Sequence, residues 1–213
     1  MKANYRLSLL MIISPVVSLL MMVTTASAQT ASCEVLLIND TQTAPGQIEF
    51  DICVRSTNHD DFPAGFLYGH GQYRIEFNPS IINHERDLIE VEVLKGSSEL
   101  KCIDQQPLHC SFLPDTISAF LVRARFPVKP ELASLIPAEN NGTRIARISM
   151  KVVSITEKTP SFFNQGTTAD LRLSDQNPGT TAVSFMEKSG TVAVCKPVEL
   201  SGASLSNKPL HGQ

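Results

Sequence analysis

The chain has no tryptophan, three tyrosines and five histidines, and aromatic residues make up only 6% of it. Crystalline polysaccharides are gripped by rows of exposed rings, so this scarcity excludes a flat aromatic glycan platform. No two histidines stand at metal-ligand spacing, no Gly-rich loop ends in Gly-Lys-Ser/Thr, and no Gly-x-Ser-x-Gly elbow occurs. The commonest zinc-hydrolase, nucleotide-binding and serine-hydrolase signatures are therefore missing. Gly69-x-Gly71 is followed by Arg74 where a dinucleotide fingerprint needs a third glycine. There is no internal repeat and no low-complexity tract. Past the first 30 residues no apolar run is long enough to span a membrane.

What is present begins with an export signal. Lys2 and Arg6 precede an almost unbroken apolar run from Leu7 to Val23, and Ala26-Ser27-Ala28 supplies a small-x-small cleavage site. Residues 1–28 are thus expected to be removed, leaving residues 29–213 as one domain's length with no further membrane insertion. The leader holds two basic and no acidic residues, so 16 basic face 21 acidic side chains in the mature chain, a net charge of −5. That balance argues against nucleic acid or an anionic lipid surface as the main partner. The expected location is extracellular, at the cell surface or in the periplasm.

The remainder reads as strands. Tyr73, Ile75 and Phe77 alternate with Gln72, Arg74 and Glu76, and Asn78-Pro79 ends the run. The same period of two recurs in Phe50, Ile52 and Val54, in Ile89, Val91 and Val93, and in Phe120, Val122, Ala124 and Phe126. Val35 to Ile38 ends at Asn39-Asp40, and Pro45-Gly46 makes the next turn. Asn140-Asn141-Gly142 feeds a strand from Thr143 to Val152, and later candidates are Phe162-Phe163, Ala169–Leu173, Thr181–Phe185 and Thr191–Cys195. Glu131 to Ile136, between two prolines, is expected to form a helical turn. About nine strands with no ordinary helix predict an all-β, immunoglobulin-like antiparallel sandwich over residues 29–200. Residues 201–213 are small and polar and read as a flexible tail or linker.

Outside the cytoplasm, cysteines form lasting disulfides. Cys102 and Cys110 flank a polar loop and are the expected local bridge. Cys33 and Cys195 would pair if the first and last strands are neighbours, leaving Cys53 as a small semi-buried side chain. His59-Asp60-Asp61 is the candidate cation site, for calcium, against the plainer reading of a solvated turn. No other cofactor is implied. Phe66, Tyr68 and His70 form the candidate binding set, in the loops around Asn58 to Gly71. Glu90 and Glu92 share one side of a strand, which is the pattern of a wet sheet face. Arg123, Arg125, Arg144 and Arg147 would make a basic stripe if their strands pair. No catalytic residue stands out.

Three segments carry a family resemblance: Phe66 to Ile82, Gly142 to Val152, and Pro197-Val198-Glu199-Leu200. Together they resemble the cohesin-like N-terminal β-sandwich module of large secreted proteins from type IX-secreting bacteria. The resemblance covers residues 34–200 and implies no catalytic residue. It also implies a fibronectin-like domain and a sorting domain after the Pro-Val-Glu-Leu linker, whereas this sequence stops 13 residues after Leu200. A periplasmic relative or the stub of a longer surface protein is therefore expected.

The function expected from these readings is a non-catalytic binding or adhesion module, for a glycan or a cell-surface protein. A structural spacer without a ligand is the alternative. An enzyme with a loop-built site is the third reading, since fold alone does not decide function.

Overall fold

The computed structural model describes residues 31–60, 62–113, 118–138, 142–155, 169–174, 181–186, 192–200 and 202–203, with backbone alone for 185–186, 192–200 and 202–203. The expected signal segment, Asp61, Asn140-Asn141 and Phe162-Phe163 lie outside the described residues. Among the described residues there is no α-helix, only three 3-10 turns of three residues each. The expected helical turn is one of these, Pro130–Leu132, and the chain then pairs as a two-residue strand at Leu135–Ile136.

The first sheet is antiparallel and runs β4 (Asp87–Val93), β8 (Thr143–Ser154), β2 (Gln47–Ser56), β1 (Ser32–Ala44). The second is built on β3 (Phe66–Glu76). One edge of β3 pairs with β6 (Ala119–Ala124) and β7 (Leu135–Ile136), and β5 (Cys110–Phe112) adds to β6. The other edge pairs with β9 (Leu171–Leu173) and β10 (Ala182–Met186). β11 (Val192–Leu200) runs antiparallel to β10 and then parallel to β1, joining the two sheets. β12 (Gly202–Ala203) pairs with β9, so these two residues of the expected tail belong to a ladder.

Alternation explains the packing. Ile48, Phe50, Ile52 and Val54 from β2, Ile148 and Met150 from β8, and Tyr73, Ile75, Phe120 and Val122 from the second sheet form one buried cluster between the layers. Glu90 and Glu92 face water from β4, as the alternation predicts. The all-β sandwich expected from the strand pattern is the observed fold.

β1 departs from its expected end. It continues past Asn39-Asp40 to Ala44, with a register shift between Ile38 and Thr41. Asn39 adopts φ 54° there, and its Nδ2 donates to Asp51 Oδ2 at 2.8 Å. Asparagine tolerates that left-handed backbone and its amide ties the bulge to β2, so the pair that reads as a turn becomes a kink in one long strand.

Two further expectations change. Arg123 and Arg125 lie on or beyond β6, while Arg144 and Arg147 lie on β8 of the other sheet, so no four-arginine stripe forms. Arg147 instead meets Glu49 (2.8 Å) and Asp51 (2.9 Å), and Arg144 meets Asp51 and Glu99 (both 3.5 Å). Phe126 does not continue the inward face of β6, because that strand ends at Ala124 before Pro127.

Candidate functional site

The local architecture of β3 decides where its side chains go. Phe185 pairs with Tyr68 and Ser184 with His70, which leaves Gly69 as the extra residue of a bulge. The extra residue shifts the parity of the strand. Tyr68 therefore turns inward on the same side as Tyr73, and their hydroxyls meet at 2.7 Å inside the core. Burial drives the Tyr68 phenol well above its usual value, and the bond to Tyr73 offsets this in part.

The bulge also frees carbonyls for another partner. Gln105, fully buried, donates through Nε2 to Tyr68 O (2.5 Å) and Gly69 O (3.1 Å), while its Oε1 accepts from the Ser134 N–H (2.8 Å). Nearby, the Cys102 N–H donates to Ser134 Oγ at 3.0 Å, and the Arg125 N–H donates to Gln105 O at 3.3 Å. The loop between β4 and β5 is thereby pinned to β3 and to the 3-10 segment near Ser134. Nothing in the sequence marks Gln105 for this role. Its pattern is that of a polar loop.

That pinned loop forms one wall of a groove of about 490 Å³ on the outer side of the second sheet, a volume within the usual range of ligand clefts. His70 enters it from β3, and its ring stacks on Phe126 with centroids 4.8 Å apart and planes 9° from parallel. Leu108, His109 and Cys110 line it from the loop and the start of β5, and Arg123 and Arg125 from β6 and the residue just after it. Phe126 and Leu108 are 48% and 56% exposed. Burial, with Arg123 adding, lowers the His70 pKa. Burial, with Glu92 adding, pushes the Cys110 thiol up to about 12. The imidazoles of His70 and His109 and the Cys110 thiol make no hydrogen bonds with one another among the described residues. A protonated thiol without an oriented base is not an activated nucleophile, so Cys110 is not held as one by the described residues.

The candidate residues separate accordingly. His70 reaches the groove. Phe66 and Tyr68 do not: they are 3% and 0% exposed, and the bulge that turns Tyr68 inward is the reason. His59 and Asp60 sit in an exposed turn, with Asp61 outside the described residues. No group of three metal-ligating side chains occurs among the described residues. The expected Cys102–Cys110 bridge is not made: both are free thiols, one held at the start of a 3-10 turn and the other paired in β5 opposite Val122. Cys33 on β1 is buried and in register with Pro197, two residues past Cys195, so the first and last strands are neighbours as that pairing requires. The Cys195 side chain lies outside the described residues. Cys53 is deeply buried, and burial, with Asp51 and Glu99 adding, pushes its thiol up to about 12.

No protein-family profile matches the chain. No curated protein matches it either. Among solved structures it is similar to type II cohesin modules of Acetivibrio cellulolyticus. One is an N-terminal interface mutant of a type II cohesin–X–dockerin complex, at 7% identity and TM-score 0.48, covering 84% of this chain and 99% of that one. Another is the second type II cohesin module of an adaptor scaffoldin, at 10% identity and TM-score 0.46, covering 85% and 99%. A third, a type II cohesin domain of the cellulosome, matches at 9% identity and TM-score 0.40, covering 82% and 95%.

Proposed function

We propose that this protein is a non-catalytic binding module of an exported protein and that it engages a protein partner through the outer side of its second sheet. The observation that carries this reading is the groove beside the His70–Phe126 stack. It is open to solvent, rimmed by exposed Leu108 and Phe126, and walled by a loop that Gln105 holds in place. A rigid, partly apolar concavity loses little conformational entropy on binding, which favours recognition. Leu108, Leu121, Ala124 and Phe126 give the groove apolar lining beside Arg123 and Arg125, a mix of apolar and polar contact surface that protein interfaces use.

The leader, with its Ala-x-Ala site, supports export. Transit by the type IX route, as a relative or a part of a longer surface protein, rests on the three sequence segments alone. Among the described residues no helix is long and apolar enough to cross a membrane.

A photo-crosslinking residue at Ser111, with a control at Glu90 on the opposite sheet, tests the reading in the exported protein. Ser111 should trap a discrete protein, Glu90 should not, and Phe126→Asp with Leu108→Asp should abolish the adduct. A dockerin module, the partner named in one of the solved complexes, belongs in the binding panel. Equal, nonspecific trapping at both positions would leave the spacer role instead.

A further inference from the structure

The groove differs electrostatically from the rest of the molecule. The chain carries 21 acidic against 18 basic side chains, yet among the described residues no Asp or Glu lines this groove, where Arg123 and Arg125 stand with His70 and His109. Elsewhere Arg55, Arg74, Arg144, Arg147 and Arg172 each meet a carboxylate. Arg123 and Arg125 meet none: Arg123 Nε donates to the neutral Gln72 Oε1 at 3.2 Å, and the Arg125 side chain makes no ion pair among the described residues. Gln72 lies opposite Arg123 in the β3–β6 ladder, so the guanidinium is positioned without being neutralised. Glu92 is near enough to raise the Cys110 thiol pKa from outside the lining, and no carboxylate among the described residues pairs with Arg123 or Arg125, so the two fixed positive charges focus the field on whatever enters this partly enclosed cleft.

Resting on the binding-module reading above, we infer that the groove is a carboxylate-recognition site whose occupant is an acidic segment of a protein partner. Its Asp or Glu side chains pair with Arg123 and Arg125, and an apolar neighbour packs on Leu108 and Phe126. Guanidinium forks bind carboxylates through paired, charge-assisted hydrogen bonds, which gives both energy and orientation. An acidic peptide fits better than an acidic sugar for two reasons. One face of the exposed Phe126 ring is already covered by His70, which removes a stacking surface a sugar would use. Exposed Leu108 also lines the groove and suits an aliphatic or aromatic side chain.

Fluorescence anisotropy on the full mature chain tests this with a labelled, capped peptide of sequence Asp-Leu-Glu-Phe-Asp and its amide counterpart Asn-Leu-Gln-Phe-Asn. The acidic peptide should bind at least tenfold more tightly, and its binding should weaken as salt shortens the screening length. R123Q combined with R125Q should cost at least tenfold in affinity and leave thermal unfolding unchanged, while Lys95→Gln, in the turn after β4, should have no effect. Equal binding of the two peptides, undiminished binding by the double variant, or no binding of the acidic peptide at millimolar concentration would each overturn the inference. Arginine-dependent binding of oligogalacturonate in place of the peptide would overturn the peptide assignment. A partner trapped at Ser111 that ignores R123Q and R125Q would sink this inference alone. No partner at that face would sink the binding reading itself.

Discussion

Tyr68 and Tyr73 hydrogen-bond to each other directly over the Cα of Gly71. Their hydroxyls are 2.7 Å apart, and a Cβ on residue 71 would lie 2.1 Å from one and 2.3 Å from the other. Residues five apart on a regular strand face opposite ways, so the contact exists only because the Gly69 bulge changes the parity between them. Gly71 leaves the space that the two rings share.

Gly71→Ala should therefore destabilise the fold by about 1–3 kcal/mol, the range for overpacking a filled core. Tyr68→Phe should cost about 1 kcal/mol, the usual net worth of one hydrogen bond. Placing Gly71→Ala in a Y68F/Y73F background should recover part of the loss, because the two oxygens nearest the new methyl are gone. Urea unfolding of the four proteins measures this, and full additivity would show that the hydroxyls do not set the clash.

Gln105→Ala should strip partners from the Tyr68 and Gly69 carbonyls and the Ser134 N–H together. Buried polar groups left unsatisfied cost about 1–3 kcal/mol each at most, so a loss of about 2–4 kcal/mol is expected. Hydrogen exchange at the Ser134 amide should accelerate more than at Ile148 in the other sheet. Uniform acceleration across both sheets would mean that Gln105 acts on global stability rather than on the groove wall.

Asp51 is the hub of the outer side of the first sheet. Its carboxylate is only 2% exposed and meets Arg147, Arg144 and the Asn39 amide. Asp51→Ala should cost about 2–3 kcal/mol, somewhat below the value for a fully buried pair because both arginines keep some contact with water. A double-mutant cycle with Arg147→Gln should show coupling above about 0.5 kcal/mol. Absence of coupling would place the stabilisation elsewhere.

The pH response of His70 has a definite sign. Burial and the neighbouring Arg123 lower its pKa in the folded protein, with His109 the other imidazole in the same groove and Ser184 bonded to the His70 carbonyl. The unfolded chain then takes up a proton at higher pH than the folded one, so stability is fullest above the ordinary histidine value near 6.5 and falls as pH drops through the folded pKa. His70→Asn should flatten this part of the stability profile. An unchanged acid slope in the variant would assign it to other groups.

The thiols offer a chemical check. With pKa values near 12, Cys53 and Cys110 should resist iodoacetamide at pH 8 in the native protein and react in urea, because the thiolate is the nucleophile. Peptide mapping without reduction should also find no Cys102–Cys110 linkage. A mass for that linkage would contradict the separate thiols seen here.

Strand identity and the facing of most side chains were legible from the chain alone, because a period of two assigns each residue to core or solvent without reference to its neighbours. Ile75, Val122 and Glu90 lie where alternation puts them. The same local rule failed at Asn39-Asp40 and Gly69, where one extra residue changes the parity while the residues themselves look like a turn or a flexible start. The sandwich class and the strand faces follow from composition and periodicity in this sequence. Only the tertiary structure decided that Tyr68 joins the core, that Arg123 and Arg125 part from Arg144 and Arg147, and that Gln105 shapes a groove beside His70. Those outcomes depend on which distant strands become neighbours and on single-residue bulges within them, and neither is written in the spacing of any one segment.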